Sequence, residues 1–151
     1  MHRLRTIVLV WALGAGVLCA QERAANPAPT GFRAVDVFVD SGAQPLAAYQ
    51  LDFSARAGSV KIVGIEGGEH PAFKEPPYYD PKAIQQERAV LAAFNTVPAG
   101  QLPAGRTRVA TIHVQVSGET APKFTAKIQA AAGSDGRSIP VQITLMERKA
   151  R

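Results

Sequence analysis

The chain has 151 residues with 17 basic and 12 acidic side chains, and its formal net charge at pH 7 is +5. This length is enough for one domain with its own hydrophobic core, and a single cysteine excludes an intramolecular disulfide. The basic residues are scattered among Asp and Glu and cluster only within residues 148–151, so the sequence shows no footprint for nucleic acid.

The first twenty residues have the layout of an export signal. The basic stretch HRLR is followed by an apolar, uncharged segment at 7–18, which is too short to span a bilayer. Cleavage after Ala20 is expected, with cleavage after Cys19 as the alternative; a lipoprotein signal ending at Cys19 and a retained membrane anchor remain rival interpretations. We expect a secreted protein, periplasmic or extracellular, with no stable membrane span after cleavage.

The mature chain begins with a stretch that has no apolar period. Residues 21–32, QERAANPAPTGF, predict a flexible leader. Three strands are then predicted, at 33–40 (RAVDVFVD), 46–55 (LAAYQLDFSA) and 59–66 (SVKIVGIE). Apolar and polar residues alternate along the first two, and the third is more apolar. The residues predicted to face inward are Val35, Val37, Val39, Tyr49, Leu51 and Phe53.

A proline-rich segment interrupts the strands. Residues 67–83 contain four prolines, which forbid a regular helix or a central strand, and a helical turn is predicted at 84–88. Further strands are predicted at 89–96, 107–116, 123–130 and 139–145, before a basic tail at 148–151. About seven strands with turn signals between them predict an all-β, antiparallel two-sheet sandwich.

The order of these motifs resembles the cohesin-like domain family, which belongs to a group of β-sandwich modules shared with certain carbohydrate-binding modules. The resemblance rests on AVDVFVDS, PLAAYQLDFSARAGSVKIVGIEGG, AVLAAFNT and LPAGRTRVATIHVQVSG, and it spans residues 33–146. It implies a domain at 33–147 with jelly-roll topology that binds a dockerin or another extracellular protein through one sheet. The proline-rich loop departs from the family pattern, and no interface residue can be transferred position by position.

The densest group of polar and aromatic side chains lies in the loop at 67–83. Glu69, His70, Tyr78 and Tyr79 are candidate binding residues, because long loops in compact domains often carry function. Pro76 and Pro77 favour an extended segment, in which the two tyrosines either contact a partner or pack over a sheet edge. The spacing of the carboxylates and the histidine matches no established metal pattern.

A second candidate is the outward side of the strand at 107–116. His113 and Gln115 face outward there with Thr111, and we expect that polar face to continue through residues 125, 127, 129, 142 and 144. Such a face is either the solvent side of the sandwich or a recognition face. Its amides and hydroxyls suit a protein or a sugar, and the absence of tryptophan from the mature chain favours a protein.

Catalytic motifs are lacking. The mature chain has two histidines, no G-x-S-x-G sequence and no cysteine nucleophile, so we expect neither an enzyme nor a cofactor. The sequence favours a secreted, non-catalytic module that binds an extracellular protein, dockerin-like or other. A carbohydrate-binding module linked to polysaccharide breakdown and a structural, envelope-associated protein are the alternatives.

Overall fold

A computed structural model describes residues 29–149; the predicted signal segment and most of the predicted leader lie outside this range. The strands are β1 (Thr30–Asp40), β2 (Ala48–Arg56), β3 (Ser59–Gly67), β4 (Arg88–Phe94), β5 (Arg106–Ser117), β6 (Lys123–Ala132) and β7 (Gln142–Lys149). Short 3₁₀ helices lie at Pro71–Phe73, Pro81–Ala83 and Ala99–Gln101. Within residues 29–149 no helix is long and apolar enough to cross a membrane.

The strands form two antiparallel sheets. The four-stranded sheet has the order β3-β5-β1-β7, and the three-stranded sheet has the order β4-β2-β6. Each strand lies in the opposite sheet from the strand before it, so every connection passes from one sheet to the other. The predicted all-β, antiparallel two-sheet sandwich is confirmed.

The core lies between the sheets and follows the predicted alternation. Val35, Val37 and Val39 of β1 are fully buried, as are Leu51 and Phe53 of β2. Complete burial of such a side chain stabilises the fold by about 1.5–3 kcal/mol. The predicted inward residues of β5 are buried as well; they are Ala110, Ile112, Val114 and Val116.

The ends of the sheet extend beyond the expected limits. β1 begins at Thr30, inside the segment predicted as leader, and pairs with β5 from its first residue. β7 runs through Arg148 and Lys149, inside the segment predicted as tail. Arg148 lies opposite Ala34 of β1, so cross-strand pairing holds this part of the chain in the sheet.

The helical turn predicted at 84–88 is wrong. The 3₁₀ helix ends at Ala83, and Gln85 has a positive φ of 73°. The Gln85 amide donates to the Ile62 carbonyl at 2.7 Å, and the Ile62 amide donates to the Gln86 carbonyl at 2.7 Å. β3 is an edge strand, so this segment satisfies backbone groups that would otherwise have no partner there.

The continuous polar face predicted around Thr111 is also wrong. β7 lies in the same sheet as β5, so Gln142 and Thr144 share the face of Thr111. β6 lies in the other sheet, so Thr125 and Lys127 face the opposite side of the sandwich. Alternation predicts which residues share a strand face, but it does not predict which sheet a strand joins.

Candidate functional site

The loop at 67–83 folds back onto the four-stranded sheet. The Gly68 amide donates to the Phe73 carbonyl at 2.6 Å, and Phe73 is buried in the core. A Cβ on Gly67 would overlap the Lys74 carbonyl oxygen, and one on Gly68 would overlap the Arg108 carbonyl oxygen. Both positions therefore require glycine, and this end of the loop is a packed element of the fold.

Glu69 and His70 bind the chain's own backbone. The Arg108 amide donates to Glu69 Oε1 at 2.9 Å, and the Glu69 amide donates to the Arg108 carbonyl at 3.0 Å. His70 Nδ1 accepts from the Ala72 amide at 3.2 Å and caps the 3₁₀ helix that begins at Pro71. Across residues 29–149 no group of three or more His, Cys, Asp or Glu side chains could hold a metal ion.

The two tyrosines of the loop have different environments. Tyr78 forms an isolated β-bridge with Ala92 of β4; its amide donates to the Ala92 carbonyl at 2.7 Å, and the Ala92 amide donates back at 2.9 Å. The Tyr78 side chain is 70% exposed and stacks on Phe94, with ring centroids 6.1 Å apart. Tyr79 packs against the core. Of the two, Tyr78 is the more accessible to a partner, because Tyr79 is half-buried.

His113 and Gln115 lie on the outer face of the four-stranded sheet, and both are half-buried. His113 Nε2 lies 3.0 Å from Glu66 Oε1 without the alignment of a hydrogen bond. Gln115 is opposite Phe32 of β1 and Lys61 of β3. The structure therefore places these two candidates on the opposite side of the sandwich from Tyr78.

The centre of that outer face is a buried polar network that the sequence did not reveal. Thr111 Oγ1 donates to Asp36 Oδ1 at 2.7 Å and accepts from Arg108 at 2.7 Å. Arg148 Nε lies 2.7 Å from Asp36 Oδ2. Thr111 faces outward as predicted, but it is fully buried and Asp36 is 6% exposed, because Arg108 and Arg148 cover them.

The outer face of the three-stranded sheet is apolar at one end. Four outward-facing alanines line a shallow depression of about 260 Å³ with Gln50 between them, and Phe94 stands at its edge with 65% of its surface exposed. We call this surface the alanine face; its alanines are Ala48, Ala92, Ala130 and Ala132. Tyr78 extends it beyond β4 through the bridge to Ala92. Alanine is depleted in strands, where an outer face commonly carries larger polar residues.

The other end of the same face is polar and charged. Arg88 donates to Asp52 through Nε at 2.9 Å and through NH2 at 2.6 Å. The hydrogen bonds to Asp52 raise the pKa of Arg88 above its ordinary value. Ser54 Oγ and Thr125 Oγ1 lie 2.9 Å apart one row further along.

Tyr78 was predicted from the sequence as a candidate binding residue, whereas the alanine face was not predicted. The signal was present in β4, where Phe94 stands at an outward position while Ala89 and Leu91 point inward. Alanine occurs on either face of a strand, so the outward alanines of β2 and β6 did not indicate an apolar outer face. No protein family, curated protein or solved structure matches this chain.

Proposed function

We propose that this chain is a secreted, non-catalytic protein-binding module of cohesin-like type, and that its partner binds the alanine face. The observation that carries the proposal is the apolar depression with two exposed aromatic rings beside it. Pockets next to exposed aromatic side chains are where protein interfaces concentrate their binding energy.

The winding of the chain supports the finer part of this proposal, a jelly-roll topology. Successive strands alternate between the two sheets, and the Tyr78 bridge extends the three-stranded sheet on its β4 side. Two facing antiparallel sheets whose strands are joined across the sandwich are the plan of a jelly roll. The motif resemblance at 33–146 favours the same group of modules.

The exposed rings offer enough surface to anchor a partner. Tyr78 at 70% and Phe94 at 65% exposure together present roughly 250 Å² of ring surface. At about 25 cal/mol per Å², burying that surface contributes about 6 kcal/mol before the costs of association are subtracted. Single exposed aromatic side chains are common on monomeric proteins, but a stacked pair beside an apolar depression forms a contiguous apolar patch, which is typical of an interaction site.

A capture experiment with a matched control tests this proposal. Phe94→Asp places a charge on the alanine face, and Phe32→Asp places the same charge on the opposite sheet, where Phe32 is 57% exposed. Each change should cost about 1 kcal/mol, because both rings are mostly exposed, but aspartate is disfavoured in strands and Phe94 loses its stack on Tyr78. The immobilised proteins are presented with the exported fraction of the producing cells, and the bound proteins are quantified.

The proposal predicts a captured protein whose yield falls at least tenfold with Phe94→Asp and is unchanged with Phe32→Asp. Equal yields from both variants, or a loss only with Phe32→Asp, would reject binding at the alanine face. A structural, envelope-associated role predicts no protein whose capture depends on Phe94.

A carbohydrate-binding module is the second candidate, and the observation that favours it is the exposure of the Tyr78 and Phe94 rings. Sugars stack on aromatic rings, but these two rings stack on each other, and Gln50 supplies the hydrogen-bonding groups among otherwise apolar outward side chains of the depression. A glycan array run with the same variants separates the two functions. Glycan binding that Phe94→Asp abolishes would favour the carbohydrate-binding module.

A further inference from the structure

The outer face of the three-stranded sheet divides into two halves of different chemistry. Beyond the alanine face, the outward positions of β2, β4 and β6 carry four basic residues and one acidic residue, Asp52. We call these four the basic end; they are Arg56, Arg88, Lys123 and Lys127. The register places Arg56 opposite Lys123 and Asp52 opposite Lys127.

This half has two carboxylates, Asp52 and Glu87, which line the same hollow as Arg56, Arg88 and Lys127. Asp52 is held by Arg88 through two guanidinium nitrogens, so this pair contributes little net charge. Arg56, Lys123 and Lys127 are exposed and form no salt bridge with a carboxylate in residues 29–149. Counted with Asp52 and Glu87, the four basic residues of this end exceed its acidic residues by two, so a net positive charge lies on one end of the face.

The two halves are close enough for one partner to cover both. Lys127 stands opposite Asp52, two residues along β2 from Gln50 in the depression. At about 3.3 Å per residue, that step is about 7 Å, and the whole face from residue 48 to residue 56 is about 26 Å long. A partner of ordinary size reaches the depression and the lysines at once.

We propose that the partner of the alanine face is an acidic protein, whose apolar side chain enters the depression while its Asp and Glu side chains meet the basic end. This inference rests on the proposed function and adds the charge and orientation of the partner. Complementary charges beside an apolar anchor speed association and fix the orientation of a complex. A flat anionic membrane would leave the depression unfilled, whereas a protruding side chain fills it.

A library of random twenty-residue peptides displayed on phage is the probe. It is selected separately on the protein as the cells process it, on Phe94→Asp, on the double variant Lys123→Glu/Lys127→Glu, and on the control Lys61→Glu/Lys74→Glu. The control makes the same change in net charge at exposed lysines away from this face. Thermal melts of each variant verify that it is folded.

The expected peptides combine apolar residues with an excess of Asp and Glu over the unselected library. They should bind about tenfold more weakly to Lys123→Glu/Lys127→Glu and about tenfold more weakly in 0.5 M than in 0.05 M NaCl, while the control pair leaves their binding unchanged. Because Lys123→Glu/Lys127→Glu makes this end acidic, that variant should select peptides rich in Lys and Arg instead.

Other outcomes separate this inference from the proposed function. Peptides that need Phe94 but show no excess of Asp and Glu would overturn the acidic partner and leave the binding site standing. If no selected peptide depends on Phe94, the site itself is rejected and the inference with it. Binding to phosphatidylglycerol vesicles that Phe94→Asp and Lys123→Glu/Lys127→Glu both abolish would assign the face to an anionic lipid surface and overturn the proposal.

Discussion

The hydroxyl group of Thr111 links two charged side chains on the outer face of the four-stranded sheet. It donates to Asp36 and accepts from Arg108, each at 2.7 Å, and it is fully buried. Replacement by valine keeps the size and the preference for a strand but removes both hydrogen bonds. Hydrogen bonds to charged groups contribute about 1.5–3 kcal/mol each.

The expected loss in the free energy of unfolding of Thr111→Val is smaller than the full value of two such hydrogen bonds. Asp36 retains Arg148, and Arg108 retains the Gly67 carbonyl at 3.2 Å, so we take the lower limit for each lost bond, about 3 kcal/mol together. The extra buried methyl group of valine returns close to 1 kcal/mol. The expected loss is therefore about 2 kcal/mol, or about 6–10 °C in Tm for a domain of this size.

Urea unfolding of Thr111→Val and Thr111→Ser gives the free energies to compare. Serine retains both hydrogen bonds and loses only a methyl group, so it should cost about 1 kcal/mol or less. A double-mutant cycle of Thr111→Val with Asp36→Asn should give a coupling energy above about 0.5 kcal/mol. A valine variant as stable as the original protein, or more stable than the serine variant, would refute the reasoning.

Three further predictions concern buried groups and the proline-rich loop. Burial raises the pKa of Tyr49, so its contribution to stability is present below about pH 10 and is lost as the pH rises further; pH-dependent unfolding should show this decline, and Tyr49→Phe should lack it. Gly68→Ala should cost about 2–4 kcal/mol because its Cβ meets backbone, whereas Gly100→Ala, with open space around it, should change thermal stability little; equal effects would contradict the packed loop. Tyr79→Ala should lower Tm by several degrees and Tyr78→Ala by little, and the reverse order in thermal melts would show that their environments are misassigned.

Alternation in the sequence predicts the strands well because each strand buries one face. Val35, Val37 and Val39 were identified in this way, and so was the inward side of β5. The prolines correctly marked 67–83 as irregular. The prolines do not predict that the side chains of Tyr78 and Tyr79 have different environments, because the bridge between Tyr78 and β4 depends on the tertiary fold.

What escaped prediction depends on contacts between strands that are far apart in sequence. The side chains of Arg108 and Arg148 cover Thr111 on the outer face of the sheet, and Arg148 lies 37 residues further along the chain than Thr111. The alanine face combines outward positions of β2, β4 and β6, which become neighbours only when the sheet order is known. His113 and Gln115 were correctly seen as outward, but their sheet is not the one that carries Tyr78.

The most direct test of the central claim is photo-crosslinking in the producing cells. A benzoylphenylalanine at position 94 samples the alanine face, and the same residue at position 32 samples another exposed aromatic position, on the opposite sheet. The cells are irradiated, and the adducts are resolved by mass. Protein binding at the alanine face should give a discrete protein adduct from position 94 and none of that mass from position 32. An adduct from position 32 alone, or none from position 94, would contradict protein binding at the alanine face.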